Sequence, residues 1–366
     1  MTHLNKSLCY ACIGLSISLV QSCSDKDKLS TGTPPATGTT YTPLPEYVVS
    51  QNQNNLGMGE ADSENIYYWA AVSSTEVALC AQNKETGKVT LLDNIKSPEG
   101  GGDFMFTNLH ARDGYLYYQP FDIPGDRRYY LYAVKTDGTE KPKAIAQNAL
   151  VPAYGNNAIY YTDGLDTKNV FSLDYVTDGS AEPQKLFTHP GDAATMSYLN
   201  GHFYFRDYEG SGSDFHAVHY RMDMEGNTQQ IYEYDTYGLA QTGRDNMLIL
   251  DTDPQNGTYL LNSVPYTGGE YQTILTGLPS ATSVIEYEGT LFIGISGEYG
   301  EWENGLYSIN MDTGERKQLV KDIPVTYVII ISDSQLIIGN GNEIVSRLAT
   351  PYIVDFDGSN LRKLTI

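Results

Sequence analysis

The chain of 366 residues is long enough for one large domain or two ordinary ones, and it can bury a substantial core. Only 19% of its residues are charged, whereas Gly (35), Pro (16) and Tyr (30) are plentiful, which suits many strands joined by tight turns better than a helical protein. A formal net charge of −22 argues against nucleic-acid binding, which needs clustered Lys and Arg, and favours solubility.

The first 22 residues stand apart from the fold. Lys6 makes a thin positive start, and Leu8 to Val20 is an apolar run of 13, too short to span a bilayer and suited to the central region of a secretory signal. The run ends at Val20-Gln21-Ser22-Cys23, which resembles a bacterial lipobox. That resemblance implies that Cys23 becomes the acylated first residue of a mature chain, with a membrane as its partner through the acyl chains, in a bacterial envelope. Cys9 and Cys12 then leave with the signal, and Cys80 remains as a small core hydrophobe on a strand. Residues 23–45 carry almost no apolar content and read as a disordered tether.

Residues 46–366 repeat one pattern seven times. An apolar anchor opens the second strand of each unit at Ile66, Leu116, Ile159, Phe203, Leu248, Leu291 and Leu336, with intervals of 50, 43, 44, 45, 43 and 45 residues. A turn glycine after each third strand keeps the same period, at Gly87, Gly138, Gly179, Gly226, Gly268, Gly314 and Gly358. Second strands such as Ile66-Tyr67-Tyr68-Trp69 and Met247-Leu248-Ile249-Leu250 are nearly continuous in apolar residues, as in a sheet covered on both faces. A period of about 45 residues with about four short strands per unit gives an all-β, seven-bladed β-propeller of four-stranded antiparallel blades. No stretch shows sustained helical periodicity.

Ile159-Tyr160-Tyr161-Thr162-Asp163 resembles the YWTD motif of low-density-lipoprotein-receptor-type propellers, with Tyr161 in place of the Trp. Residues 352–364, Tyr-Ile-Val-Asp-Phe-Asp-Gly-Ser-Asn followed by Leu-Arg-Lys-Leu, are similar to the third and fourth strands of that family. The resemblance implies the fold and transfers no binding residue. Counted from the inner strand, each blade is one continuous segment, so no shared strand locks the ring. Closure then rests on blade-to-blade packing, unless Glu46-Tyr47-Val48-Val49-Ser50 adds an outer strand to blade seven.

Catalytic signatures are missing: the sequence holds no G-x-S-x-G, H-E-x-x-H or Walker-type phosphate loop, and it implies no cofactor and no metal. Asp251–Gly257 looks like the start of a calcium loop but lies where repeat five needs a hairpin turn. His216 and His219, three apart on a strand, face opposite ways. His110 and His189 sit at inner strands and face the channel. Loops after the second strands place Arg127, Arg128, Tyr208, Asp214, Tyr299 and Trp302 on one rim, where propellers usually bind. The aromatic residues suit stacking on a sugar or a partner's side chain. The reading is a monomeric, non-enzymatic protein- or glycan-binding or scaffold module. The alternatives are an envelope hydrolase or lyase with channel carboxylates, and a structural or sensory subunit of an envelope complex.

Overall fold

The computed structural model describes residues 43–55, 57–96, 105–121, 130–163, 168–175, 182–188, 195–210, 216–234, 239–253, 255–279, 282–298, 300–345 and 348–366. Among them are seven four-stranded antiparallel sheets, arranged as the blades of a β-propeller, and one α-helix. The blades span residues 59–96, 105–146, 149–188, 195–234, 239–278, 282–321 and 325–363, and in each the four strands pair in simple sequence order.

The repeat markers fall where the ring needs them. All seven anchors, from Ile66 to Leu336, are buried to 3% exposure or less. In the second strand of blade one, Tyr67, Tyr68 and Trp69 are all at 0%. Both faces of that strand are therefore dry, because neighbouring blades cover them. Gly358 shows why the turn after the third strand wants glycine. Its φ is +89°, and a Cβ built there would lie 2.5 Å from the carbonyl oxygen of Leu319 on the outer strand of blade six. One atom thus serves both the turn and the approach of one blade to the next.

Tyrosines join the wedges by burying their rings and sending the hydroxyl to a polar edge. Tyr118 of blade two donates to Asp93 Oδ2 of blade one at 2.6 Å, and Tyr232 of blade four to Asp251 Oδ2 of blade five at 3.1 Å. The ring closes between blades seven and one without a shared strand. Ile329, Ile337, Ile353 and Leu364 pack into one cluster with Tyr67, Tyr68 and Trp69. The Tyr68 hydroxyl donates to the Thr365 carbonyl at 2.6 Å, and Arg362 Nη1 donates to Gln82 Oε1 at 3.2 Å.

Residues 46–50 do not extend blade seven. They begin a helix, α1 (Glu46–Asn54), which lies against the inner strands of the blades. Asp251, Thr252 and Asp253 end the second strand of blade five, paired with Leu260, Tyr259 and Thr258, and Asp253 accepts from the Gln255 N–H and the Asn256 side chain of the hairpin that follows.

Candidate functional site

The inner strand of each blade has no partner on its channel side, so its inward N–H and C=O groups need another source of hydrogen bonds. Those strands are Gly59–Ala61, Met105–Arg112, Ala149–Tyr154, Thr195–Leu199, Leu239–Thr242, Thr282–Tyr287 and Val325–Ile330. The channel they enclose is occupied by α1, and the partners come from the run Gln51-Asn52-Gln53-Asn54-Asn55.

Each primary amide offers a donor and an acceptor side by side, as a peptide unit does. Gln51 Nε2 donates to the Glu286 carbonyl at 3.0 Å, and its Oε1 accepts from the Glu286 N–H at 2.7 Å. Asn52 does the same to Ile330 of blade seven, at 2.6 and 2.9 Å. Two residues from Glu286, again on the inward side, the Val284 carbonyl accepts from Asn55 Nδ2 at 2.9 Å. Asn55 Oδ1 takes the Ser283 hydroxyl at 3.1 Å, and that hydroxyl accepts from the Val328 N–H. Asn54 reaches Ser197 of blade four at 2.6 Å and the Ala240 carbonyl of blade five at 3.4 Å. Gln53 Oε1 accepts from the Tyr154 N–H of blade three at 3.4 Å. Past the helix, the Gly57 carbonyl accepts from Leu109 of blade two at 3.0 Å. One short segment is therefore bonded to blades two through seven and continues directly into blade one.

The direction of the helix is fixed at its start. Glu46 Oε2 accepts from the Asn200 N–H, and the Tyr47 hydroxyl accepts from the Glu288 N–H, both in turns between first and second strands. Burial raises the Tyr47 phenol above its ordinary range, so it stays protonated. The start of α1 consequently lies on the rim of those turns. The loops after the second strands lie on the opposite rim.

Beside the helix, Glu60 of blade one and His110 of blade two meet on the wall, with His110 Nδ1 3.6 Å from Glu60 Oε2 and the side chains 14% and 7% exposed. The Tyr154 ring stacks on His110 at 4.7 Å, and Glu60 Oε1 accepts from the Ala61 N–H. The Glu286 carboxylate, 3% exposed, turns away from the helix to the seam between blades five and six, where it accepts from the N–H groups of Arg244 and Gly289. Glu60 is thus held by its own strand and Glu286 by turns of blades five and six, and blade seven stands between them. Among the described residues no group of three His, Cys, Asp or Glu side chains is placed to hold a metal.

The residues singled out in the sequence scatter. His110 lies on the inner strand of blade two, beside Glu60 and Tyr154. Tyr208 is half-buried, with the Arg206 guanidinium 5.1 Å from its ring centroid. Trp302 is only 3% exposed; its ring meets Tyr307 edge-on at 5.1 Å and carries the Arg316 guanidinium at 4.7 Å. It is a packing residue of blade six and offers no open face for stacking. Arg127, Arg128, Asp214, Tyr299, His189 and Cys23 lie outside the described residues. His219 is buried between cross-strand neighbours Arg206 and Tyr232, and burial, with the Arg206 charge, pulls its imidazole down to about 3. Cys80 is fully buried, and burial pushes its thiol up to about 12, which suits an inert core residue. The sequence signal for this plug is the amide run at 51–55, five such side chains in succession just ahead of the first strand of an unlocked ring.

No family model matches the chain, and no curated protein does. Solved structures do match. A puromycin-hydrolysing peptidase of Mycobacterium tuberculosis aligns with a TM-score of 0.52 at 11% identity, over 90% of this chain and 56% of that one. The β-propeller domain of the Trilobed protease from Pyrococcus furiosus, described as having an open velcro topology, gives 0.56 at 12% identity, over 84% and 96%. The acylaminoacyl peptidase of Pyrococcus horikoshii gives 0.52 at 12%, over 72% and 46%. The chain spans about half the length of the two peptidases. At these identities the likeness is one of fold.

Proposed function

We propose that this chain is a lipid-anchored, extracytoplasmic propeller that acts as a non-enzymatic binding or scaffold module for a protein or glycan. The observation that carries this reading is the filled channel. A ligand entering the channel meets α1, whose amides already occupy the inner-strand backbone. Binding is then left to the rims.

The anchor rests on the Val20–Cys23 motif, and the described residues contain no helix long and apolar enough to cross a membrane. Two or more acyl chains, at about 0.8 kcal/mol per buried CH₂, give stable attachment. Because α1 enters on the rim of the first-to-second-strand turns, an anchor at Cys23 would join the propeller from that side through the tether. The opposite rim, where the sequence reading puts Arg127 and Arg128, is then the proposed binding face.

A glycan and envelope-protein binding screen tests the reading, with Arg127→Ala/Arg128→Ala as the rim variant. Binding that falls at least tenfold in the variant supports it; binding that is unchanged removes the rim assignment. For the anchor, Cys23→Ala moves the protein from the membrane to the soluble fraction, and a variant that stays with the membrane contradicts the lipid.

A further inference from the structure

On the rim where α1 enters, blades six and seven part to leave a cleft of about 220 Å³ lined by Tyr287, Glu288, Thr290, Phe292, Asp333 and Phe356. Two half-buried rings, Tyr287 and Phe356, form its wall over the buried Phe292. Phe356 of blade seven lies 5.4 Å from Tyr287, edge-on, and 4.7 Å from Phe292. Two exposed carboxylates, Glu288 and Asp333, stand at its mouth, one from each blade.

Neither carboxylate has a salt-bridge partner among the described residues, although Asp333 Oδ1 accepts from the Ser334 hydroxyl at 3.3 Å. Lys84 of blade one is within reach of the Asp333 charge, but its ammonium donates to the Asp62 carbonyl. Lys317 is similarly engaged with the Asp357 carbonyl at 3.0 Å. The backbone that carries Glu288 is held in place: its φ is +47°, and its N–H donates to the Tyr47 hydroxyl of α1 at 3.1 Å. The carboxylate is therefore presented from a fixed turn and not from a free loop.

An aromatic wall attracts cations through the negative faces of its rings, and paired carboxylates add charge complementarity that no neutral ligand exploits. From this geometry we infer that the cleft between blades six and seven is a binding site for an organic ammonium group, quaternary or primary. The rings receive the methyl or methylene surface, and Glu288 and Asp333 balance the charge. This site is separate from the binding rim of the proposed function and stands or falls independently of it.

Saturation-transfer NMR on the full chain tests it with three probes: choline, its neutral isostere 3,3-dimethylbutan-1-ol, and N-acetyl-lysine methylamide. A choline signal at least fivefold above that of the alcohol supports the site. Glu288→Gln/Asp333→Asn then reduces that signal at least fivefold, with an unchanged near-ultraviolet circular dichroism spectrum showing that the fold survives. Tyr287→Leu, which keeps apolar bulk and removes a π face, also weakens it. The tighter of choline and the lysine amide identifies the ammonium class. Equal binding of choline and the alcohol, or a double variant that binds choline as the parent does, overturns the inference.

Discussion

Asn52 uses both polar atoms of its side chain on one residue, Ile330, deep in the channel. Asn52→Ala leaves that N–H and C=O without partners in a buried wall, at about 1–3 kcal/mol for each unsatisfied group. The expected loss is about 2–5 kcal/mol in urea unfolding. Asn52→Asp, which keeps the acceptor and loses the donor, should do no better, because it also buries a charge. Trp302→Ala should cost about 3–5 kcal/mol of stability by leaving a cavity between Tyr307 and Arg316. A stable Trp302→Ala protein would mean that the side chain is not packed as described.

His219 predicts a pH dependence. Its imidazole is lowered to about 3 in the folded state, chiefly by burial and then by Arg206, so the unfolded chain binds the proton more readily. The stability is complete above the ordinary histidine range and drains away as pH falls from about 6.5 toward the folded value. His219→Leu should flatten that part of the stability-versus-pH curve. An unchanged slope would show that the ring is not buried in its neutral form.

At the scale of elements, strands were legible and the helix was not. The second strands announced themselves because both faces meet apolar neighbours, so Ile66 to Trp69 carry the fold in their composition. Helix α1 carries no such stripe. Tyr47, Val48, Ser50, Gln51, Asn52 and Gln53 are all buried, so polarity runs round its whole surface. A helix usually shows an apolar face because it packs on side chains. Here the wall is an array of inner-strand N–H and C=O groups, and amides suit it better than leucines. The rim residues were harder for another reason: Trp302 looks like a loop aromatic in sequence, and only the return of Tyr307 and Arg316 onto its ring shows it to be core.

Across the whole molecule, seven continuous blades make a ring that could open at the seam between blades seven and one. Apolar packing of Ile337 and Ile353 against Tyr67 to Trp69 holds that seam from the side. The amide helix holds it from the centre by bonding to blades two through seven, while the chain that follows enters blade one. The period of the repeat revealed the blade count, because identical wedges repeat identical anchors. It could not reveal the centre, since the plug occurs once and repeats nothing. Spacing between wedges is equally strict: Gly358→Ala forces a Cβ toward the Leu319 carbonyl and a positive φ on alanine, so its cost should exceed about 1 kcal/mol, measured by thermal or urea unfolding.

Backbone hydrogen exchange in Gln51→Ala/Asn52→Ala tests most directly whether α1 supplies the missing partners of the inner strands. The amides of Glu286 and Ile330 should exchange about a hundredfold faster than in the parent, a loss of about 2.8 kcal/mol at 1.4 kcal/mol per tenfold. Those of Phe292 and Ile337, inside the same two blades, should lose much less. Unchanged protection at Glu286 and Ile330 would contradict the account.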